Sequence, residues 1–303
     1  MKIIRDAHDA ITIKEPITLT LGNFDGMHRG HQRLIDRVVS YPDTEHALLT
    51  FNPHPQAVLR RTDFYTLMKP KDKIEYLQNS DLDYMLVILF TKTFSEIDIE
   101  GFIAFLKRLS VVRVVIGRDA RFGYRGQGTI RDLEAYFDVV IVDDIVYNRT
   151  RVSTTYIKDL LSLADLGGAR KLLGRHYEIH GCVVPGNSVG KKLGFPTANI
   201  DFDRYFMPKN GVYYVRVKIA DQWHHAMANI GNNPTLNYTA EKRLEIYILD
   251  FDRDIYGENL IVRFMHYLRP EKKFANKKAL IAQLKEDESS IRKLAIRRIY
   301  DKI

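Results

Sequence analysis

The first half of the chain alternates short apolar runs with amphipathic runs of helical spacing. The run over residues 100–109 has apolar side chains at 102, 103, 105, 106 and 109, the spacing of a helix with one buried face. The strand-like apolar runs cover residues 17–21, 46–51, 84–90, 112–117 and 139–145. Near-continuous apolar strands separated by helices are typical of a parallel sheet covered on both faces. We therefore predict an α/β domain that binds ligands at the carboxyl ends of its strands.

The second half has a different pattern, in which short strand-like runs follow one another directly. Turn-forming residues separate them, as in Pro185-Gly186-Asn187. The runs cover residues 177–184, 211–219, 224–230, 244–251 and 259–267. This pattern predicts a small antiparallel barrel or sandwich, followed by an amphipathic terminal helix over residues 276–300. We divide the chain into a first domain at 1–160, a linker at 161–175 and a second domain at 176–303.

Composition narrows the class of protein. Of the 303 residues, 45% are hydrophobic, which is enough for two buried cores, yet no run approaches the ~18 apolar residues of a membrane span. The first six residues lack the pattern of a signal peptide. Cys182 is the one cysteine of the sequence, so the chain forms no internal disulfide. We therefore expect a cytoplasmic protein with no membrane segment.

The net charge of +8 is unevenly distributed along the chain. Residues 1–185 hold 25 lysines and arginines against 24 acidic residues, whereas residues 186–303 hold 21 against 14. A basic half indicates either nucleic acid or anionic small molecules as ligands. Much of the excess lies near the end of the chain, where a solvated helix face explains it better than a nucleic-acid patch. We therefore expect no nucleic-acid partner.

The most informative local sequence is GNFDGMHRGH at residues 22–31. It follows an alternating strand and leads into an amphipathic helix, so His28 and His31 fall at the first helical turn. A helix start offers unpaired N–H groups and a positive dipole end, which attract phosphate. Residues 51–55 and 117–123 also follow predicted strands. These positions indicate a nucleotide site at which a phosphate undergoes chemistry.

Residues 23–31 resemble the motif of HxGH-type nucleotidyltransferases. Together with residues 51–55, 117–123 and 152–158, they resemble the bifunctional riboflavin kinase/FMN adenylyltransferase family. The resemblance implies a Rossmann-like domain in which His28 and His31 stabilise the α-phosphate of ATP during adenylyl transfer to FMN. The other residues that it implies for ATP or phosphate are Asn23, Asp25, Gly26, Asp119, Arg121, Ser153, Thr154 and Thr155. Those that it implies for flavin are Phe51, Pro53, His54 and Pro55.

The chain departs from the family pattern at several positions of this half, including four replaced residues and Arg125, which sits one place earlier than the usual arginine. Tyr156 and Lys158 stand where the family usually has arginines. A lysine keeps the charge but loses the bidentate fork of a guanidinium, and a tyrosine loses the charge. Ala120 replaces a usual phenylalanine and Asn52 a usual acidic residue. We hypothesise that adenylyl transfer persists with altered contacts to ATP or flavin.

Residues 180–199, HGCVVPGNSVGKKLGFPTAN, resemble the riboflavin kinase signature. The resemblance implies that ATP phosphates bind the loop of Gly186, Gly190, Lys191 and Gly194. It also implies that Thr197 and Asn199 bind magnesium with ATP, since their oxygens are hard ligands. Glu245 matches the family's catalytic glutamate, which accepts the proton of a primary alcohol. Arg269 contacts flavin or phosphate in one interpretation and forms a surface salt bridge in the other.

The sequence therefore predicts an enzyme with two ATP-dependent sites. The barrel phosphorylates riboflavin to FMN, and the parallel-sheet domain converts FMN and ATP to FAD and pyrophosphate. One alternative is a chain with a single competent site, the kinase. A flavin-responsive nucleic-acid binder is a further alternative, which the basic second half suggests. ATP, riboflavin and FMN are the expected partners, and Mg²⁺ is the expected cofactor.

Overall fold

The computed structural model describes residues 1–59, 64–186, 190, 193–232 and 242–300, without the side chains of 297–300. The chain divides into two compact units, Met1–Thr154 and Thr155–Ile303. The division falls slightly before the predicted end of the first domain. Most of the predicted linker is helical, because a helix occupies Leu166–Leu173.

The first unit contains one six-stranded parallel sheet with its helices between the strands. Its strands are β1 (Lys2–Asp6), β2 (Ile17–Leu21), β3 (Glu45–Asn52), β4 (Tyr84–Leu89), β5 (Val111–Gly117) and β6 (Asp138–Val142), and a small hairpin is formed by β7 (Val146–Tyr147) and β8 (Thr150–Arg151). Its helices are α1 (Arg29–Val38), α2 (Pro55–Leu59), α3 (Pro70–Leu77), α4 (Lys92–Ser95), α5 (Ile99–Arg108) and α6 (Ile130–Glu134), with a single 3-10 turn at Tyr124–Gly126. The strand order is β1-β4-β3-β2-β5-β6, and every pair is parallel.

Two apolar cores form on opposite faces of this sheet because successive strand residues point in opposite directions. On β3, Ala47 and Leu49 join the core that also contains Phe102 and Phe105 of α5. Leu48, between them, joins the second core, which includes Val38 of α1. The predicted α/β domain with both faces covered is therefore confirmed.

The strand order places a ligand site at one edge of the sheet. Strands β2, β3 and β4 follow one another to one side, whereas β5 pairs on the opposite side of β2. The order thus reverses between β2 and β5, and parallel α/β sheets bind ligands in the crevice at such a point. The loops that follow these two strands carry residues 22–28 and 118–123.

The second unit contains a closed antiparallel barrel. Its strands are β9 (Glu178–Val184), β10 (Ala198–Asp201), β11 (Gly211–Ile219), β12 (Gln222–Asn232), β13 (Lys242–Ile248) and β14 (Asn259–Arg269). They are hydrogen-bonded in the order β10-β13-β12-β11-β14-β9. Pairing of β9 with β10 closes the barrel. Its helices are α7 (Thr154–Ser162, beginning at the division), α8 (Leu166–Leu173) and the terminal α9 (Lys277–Tyr300). The predicted barrel is confirmed.

Alternation sorts the barrel side chains into an inner and an outer set. On β13, Leu244 and Ile246 are fully buried inside the barrel, and Glu245 between them is only partly buried. Helix α9 packs on the outer surface, where Ile291 joins a cluster with Tyr214 and Met227. Within the described residues, every helix is too short or too polar to span a bilayer.

Candidate active sites

The turn between β2 and α1 is held in an unusual backbone conformation. Phe24 and Met27 have φ angles of 48° and 43°, in the left-handed region that larger residues rarely adopt. Gly26 has φ 79°, where glycine carries no such penalty. The side chains of Phe24 and Met27 are 1% and 0% exposed, so their burial in the core holds the strained turn in place.

His28 caps the helix that this turn introduces. It is the N-cap residue of α1, and its Nδ1 accepts a hydrogen bond from the backbone N–H of His31 at 3.3 Å. An imidazole nitrogen that accepts carries no proton, so in the neutral ring the proton resides on Nε2. The Nε2–H group of His28 is therefore a donor suited to a phosphate oxygen.

His31 stacks against His28 with ring centroids 3.6 Å apart and an angle of 16° between the rings. Desolvation holds the pKa of His31 well below its ordinary value, and the charges of His28, Lys73 and Arg151 lower it further. Its Nδ1 is buried and has no hydrogen-bond partner among the residues that the structure describes. His31 is thus neutral at pH 7 in a site with nearby positive charge.

The absence of a side chain at Gly30 leaves space for the His28 ring. A β-carbon at Gly30 would lie 3.2 Å from both Cε1 and Nδ1 of that ring. We expect Gly30→Ala to displace the imidazole and lower FMN adenylyl transfer by about 10- to 100-fold, since small misplacements of reacting groups have large effects. Alanine is the better helix former, so the helix itself should not weaken. The measurement is the rate of FAD formation from FMN and ATP.

Gly22→Ala is the matched control for that substitution. A β-carbon at Gly22 would meet Phe24 only at 3.5 Å, an ordinary contact. Its FAD formation should stay within about twofold of the wild type. Equal activity in both variants would show that the His28 ring position has no bearing on transfer.

Asp25 ties the same turn to a second loop. Its Oδ1 accepts hydrogen bonds from Thr66 Oγ1 at 2.5 Å, Leu67 N at 2.8 Å and Met68 N at 3.0 Å. The carboxylate is 2% exposed. These contacts give Asp25 a structural role, and its predicted contact with ATP stays a prediction.

Ser153 and Thr154, the last residues of the first unit, lie beside the turn between β2 and α1. Thr154 Oγ1 donates to the backbone oxygen of Asp25 at 3.0 Å, and Ser153 just before it is half-buried. Thr155 is exposed. The hydroxyls and free N–H groups at a helix start bind anions. The structure therefore brings Ser153 and Thr154 to the turn that carries the two histidines.

Asp119, on the loop after β5, is paired with an arginine that the sequence prediction did not single out. Arg151 contacts both Asp119 oxygens, at 2.5 and 2.6 Å, and its Nε lies 2.8 Å from Asp144. The hydrogen bond to Arg151 holds the pKa of Asp119 below its usual range. Arg121, on the same loop, is exposed. This network joins the β5 loop to the residues that precede Ser153.

The predicted flavin residues divide into core and surface positions. The Phe51 ring packs against Phe90 and Phe94 at centroid distances of 5.6 and 5.8 Å and so supports the core. The His54 ring stacks on Phe64 at 4.1 Å and 23°. Pro53 is exposed and Pro55 half-buried. The stacked pair offers a flat aromatic surface at the carboxyl end of β3.

The four replaced residues have different surroundings. Ala120 packs partly buried against the first core, and Asn52 is exposed. Tyr156 is half-buried on α7. The Lys158 ammonium lies 5.6 Å from the centre of the Phe206 ring, within the second unit.

In the barrel, three polar residues form one row across neighbouring strands. Glu245 on β13 pairs with Asn199 on β10 and with Asn229 on β12. All three lie on the outer face, since the residues that flank each one in sequence include buried inner ones. Glu245 is about one-third exposed, and its Oε1 lies 3.4 Å from Arg243 Nη1. A carboxylate thus stands directly beside the predicted metal-binding amide.

The glycine-rich loop lies against the same row. A β-carbon at Gly186 would lie 1.8 Å from Asn199 Nδ2, and one at Gly190 would lie 3.0 Å from Thr197 Oγ1. Gly194 has φ 83°, which requires glycine. The predicted residue Lys191 falls outside the described residues. The structure therefore brings Gly186 and Gly190 together with both predicted magnesium ligands.

Gly186→Ala tests that close approach. The added methyl cannot fit beside the Asn199 amide, so Asn199 or the loop must move. We expect riboflavin phosphorylation to fall by about 10-fold or more and FMN adenylyl transfer to stay unchanged. Gly167→Ala is the control, since its nearest neighbour would be Asp165 Oδ1 at 3.6 Å. Unchanged phosphorylation in Gly186→Ala would contradict the predicted role of this loop in binding ATP phosphates.

Arg269 is bound to the terminal helix. Its Nε contacts both oxygens of Asp287 at 3.0 and 3.1 Å, and its Nη2 contacts Oδ2 at 2.7 Å. The two side chains are 11% and 5% exposed, so the pair is buried. This geometry agrees with a salt bridge, although a buried one, and contact with flavin stays a prediction.

Several residues of these sites were not predicted from the sequence. Lys73 is 4% exposed and hydrogen-bonds the turn, and Arg151 precedes the Ser/Thr segment by two positions. Phe64 and Asn229 complete an aromatic pair and the polar row. Lys73 carried one usable signal, since it lies four residues before buried Leu77 and so shares its helix face.

Comparison with known proteins assigns both units. Residues 10–156 match the FAD synthetase family model, and residues 173–295 match the riboflavin kinase model. Bifunctional riboflavin kinase/FMN adenylyltransferase of Listeria monocytogenes is 38% identical over 90% of this chain and 91% of that protein. The Haemophilus influenzae enzyme of the same name is 35% identical over 95% and 97%. A crystal structure described as a macrolide-efflux protein from Streptococcus pneumoniae has a TM-score of 0.87 and 32% identity, covering 96% of this chain and 98% of that one.

Proposed function

The chain belongs to the bifunctional riboflavin kinase/FMN adenylyltransferase family, and on that premise we propose which residues perform each of its two reactions. The barrel unit phosphorylates riboflavin with ATP, and Glu245 is its general base. The parallel-sheet unit transfers an adenylyl group from ATP to FMN, and His28 and His31 stabilise the transferred phosphate.

The adenylyl transfer is a displacement at the α-phosphorus of ATP. A phosphate oxygen of FMN forms the new P–O bond, and the bond to the pyrophosphate oxygen breaks. Negative charge gathers on the non-bridging oxygens, so fixed donors there lower the barrier. The Nε2–H of His28 is such a donor, because its Nδ1 is already used as an acceptor. The helix start at α1 adds backbone N–H groups.

The site's electrostatics suit a triphosphate. The charges of Lys73 and Arg151 act on His31, and burial keeps His31 itself neutral. A neutral imidazole can donate a hydrogen bond and needs no counterion. The positive charge is therefore supplied by Lys73 and Arg151, which stay protonated at pH 7. The histidines contribute hydrogen bonds of fixed direction.

The kinase step needs a base near the terminal hydroxyl of riboflavin. Glu245 accepts that proton as the hydroxyl oxygen attacks the γ-phosphorus and the bond to ADP breaks. The carboxylate is partly exposed and lies 3.4 Å from Arg243, so it remains accessible to substrate. Its place in one row with Asn199 and Asn229 sets it beside the loop that we assign to ATP phosphates.

Magnesium fits the residues at this loop. The Thr197 hydroxyl and the Asn199 amide offer hard oxygen atoms, and the missing β-carbons of Gly186 and Gly190 let the loop reach both. Within the described parts of the chain, no three His, Cys, Asp or Glu side chains group to hold a metal ion. Thr197 and Asn199 would therefore hold Mg²⁺ together with the phosphates of ATP. When bound there, the ion would supply positive charge that offsets the charge of the phosphates.

Two observations support this proposal: His28 and His31 stack on each other in the first unit, and Glu245 pairs with Asn199 in the second. The experiment is the separation by chromatography of the products formed from riboflavin, ATP and magnesium. We expect FMN first and FAD after it. FMN alone would leave the kinase as the single competent site, with Tyr156 and Lys158 as the altered positions, and neither product would refute both assignments.

A further inference from the structure

Lys73 carries a positive charge in the buried interior of the first unit, where a charge is energetically unfavourable. It lies on α3, the residue is 4% exposed, and its ammonium donates to the backbone oxygen of Asn23 at 2.5 Å. Burying an ammonium is unfavourable unless it is paired and hydrogen-bonded. An uncharged side chain of similar size would avoid that cost. The contact of the ammonium with Asn23 is therefore the feature that could give this buried charge a function.

Two buried carboxylates face this ammonium. Asp25 and Asp72 are 2% and 6% exposed, and both charges act on Lys73. Asp25 Oδ1 holds the loop at Thr66, and Asp72 Oδ2 accepts from the backbone N–H of Lys69 at 2.9 Å. Lys73 therefore joins the start of α3 to the turn that carries the histidines.

The bond to Asn23 fixes a peptide plane at the strained turn. The Asn23 oxygen also accepts from Thr50 Oγ1 at 3.2 Å, so two donors hold it. In a planar trans peptide the next N–H points opposite to the carbonyl. The N–H of Phe24 therefore points away from Lys73, and no described residue accepts it. Phe24 itself has φ 48°, a conformation that needs such support.

We propose that Lys73 is a positioning residue for adenylyl transfer, which holds the strained turn of His28 and His31 in its working shape and adds positive charge behind it. The inference rests on the assignment of the two histidines to that reaction. Lys73 acts through Asn23 and does not touch the reacting atoms. It should therefore affect the rate of transfer more than the binding of FMN.

The pH profile separates this role from simple packing. Burial lowers the pKa of Lys73 to about 8, although the Asp25 and Asp72 charges raise it. The ammonium is charged below that pH and loses its charge above it. We therefore expect the kcat of FMN adenylyl transfer by the full chain to fall as the pH rises through about 8. In Lys73→Arg that fall should move above pH ~10, since a guanidinium stays protonated.

Lys73→Met removes the charge at every pH. It should lower kcat at pH 7 by about 100-fold, leave the KM for FMN within about threefold, and lack the fall near pH 8. Lys71→Met is the control, because Lys71 is exposed on the same helix. The kinase rate of each preparation, which depends on the other unit, serves as the internal reference.

Three results would overturn the inference. They are a wild-type profile without a fall between pH 7 and 9.5, a fall that stays in place in Lys73→Arg, and a folded Lys73→Met with wild-type kcat. If Lys73→Met does not fold, the first two results decide. His28→Asn measured in parallel separates the two claims. Full activity there would refute the histidine site, whereas its inactivity beside unchanged Lys73 variants would refute the role of Lys73 alone.

Discussion

Replacing Glu245 with glutamine should lower riboflavin phosphorylation by about 10²- to 10⁴-fold, the usual effect of losing a general base. Glutamine has nearly the same size and keeps a hydrogen-bonding oxygen for Arg243, which lies 3.4 Å from the present carboxylate. The row of polar residues around it should therefore persist. Adenylyl transfer to added FMN should be unchanged, because His28 and His31, which we assign to it, lie in the other unit. The measurement is the rate of each step with its own substrate.

Glu178→Gln is the matched control for Glu245→Gln. Glu178 is also a partly buried carboxylate on the barrel, 25% exposed and paired with Arg263. Its loss should leave phosphorylation within about twofold of the wild type. Equal loss in both variants would indicate damage to the barrel, and equal loss of both steps in Glu245→Gln would count against the assignment of a base.

Replacing His28 with asparagine should lower FAD formation from FMN by about 10²- to 10³-fold, the cost of losing one donor to a transition-state oxygen. Asparagine is a good N-cap residue, so it can take over the hydrogen bond from His31 N. The helix should therefore stay capped while the imidazole donor disappears. The measurement is FAD formation at saturating FMN and ATP.

His46→Asn is the control for a histidine substitution in the same unit. The His46 ring bonds the backbone oxygens of Tyr41 and Asp81 and lies on β3 away from the turn. Its FAD formation should stay near that of the wild type. If His28→Asn retained full transfer, the two stacked histidines would be structural only.

The sequence predicted both architectures because burial dominates the pattern of a strand. The runs that became β3, β5 and β11 match the observed strands to within one residue at each end. Besides the two-residue strands β7 and β8, two strands were not predicted from the sequence, for a physical reason. β1 is an exposed edge strand, and β10 has four residues of which only Ile200 is buried. Neither has enough alternation to stand out.

The candidate sites were partly predictable for a similar reason. Motifs name residues that lie close in sequence, such as His28 and His31, and the structure stacks these two rings. Contacts between segments that are distant in sequence produce no such local motif. The pairing of Asn199 with Glu245 depends on strand register, and the pair of Asp119 with Arg151 joins two loops.

Lys73 illustrates a further limit of sequence patterns. Patterns treat lysine as a surface residue, since it is almost never fully buried without a partner. Its burial depends on a single backbone oxygen 50 residues away in sequence and on two buried carboxylates. Such a residue becomes visible only once the fold brings its partners together.

The central claim is that each unit carries out one step with its own catalytic residues, and a mixing experiment tests it most directly. Glu245→Gln should make FAD from FMN but not from riboflavin, and His28→Asn should stop at FMN. Mixed in equal amounts with riboflavin, ATP and magnesium, the two variants should form FAD, because FMN released by one is used by the other. No FAD from the mixture, with each variant still performing its own step, would contradict the account.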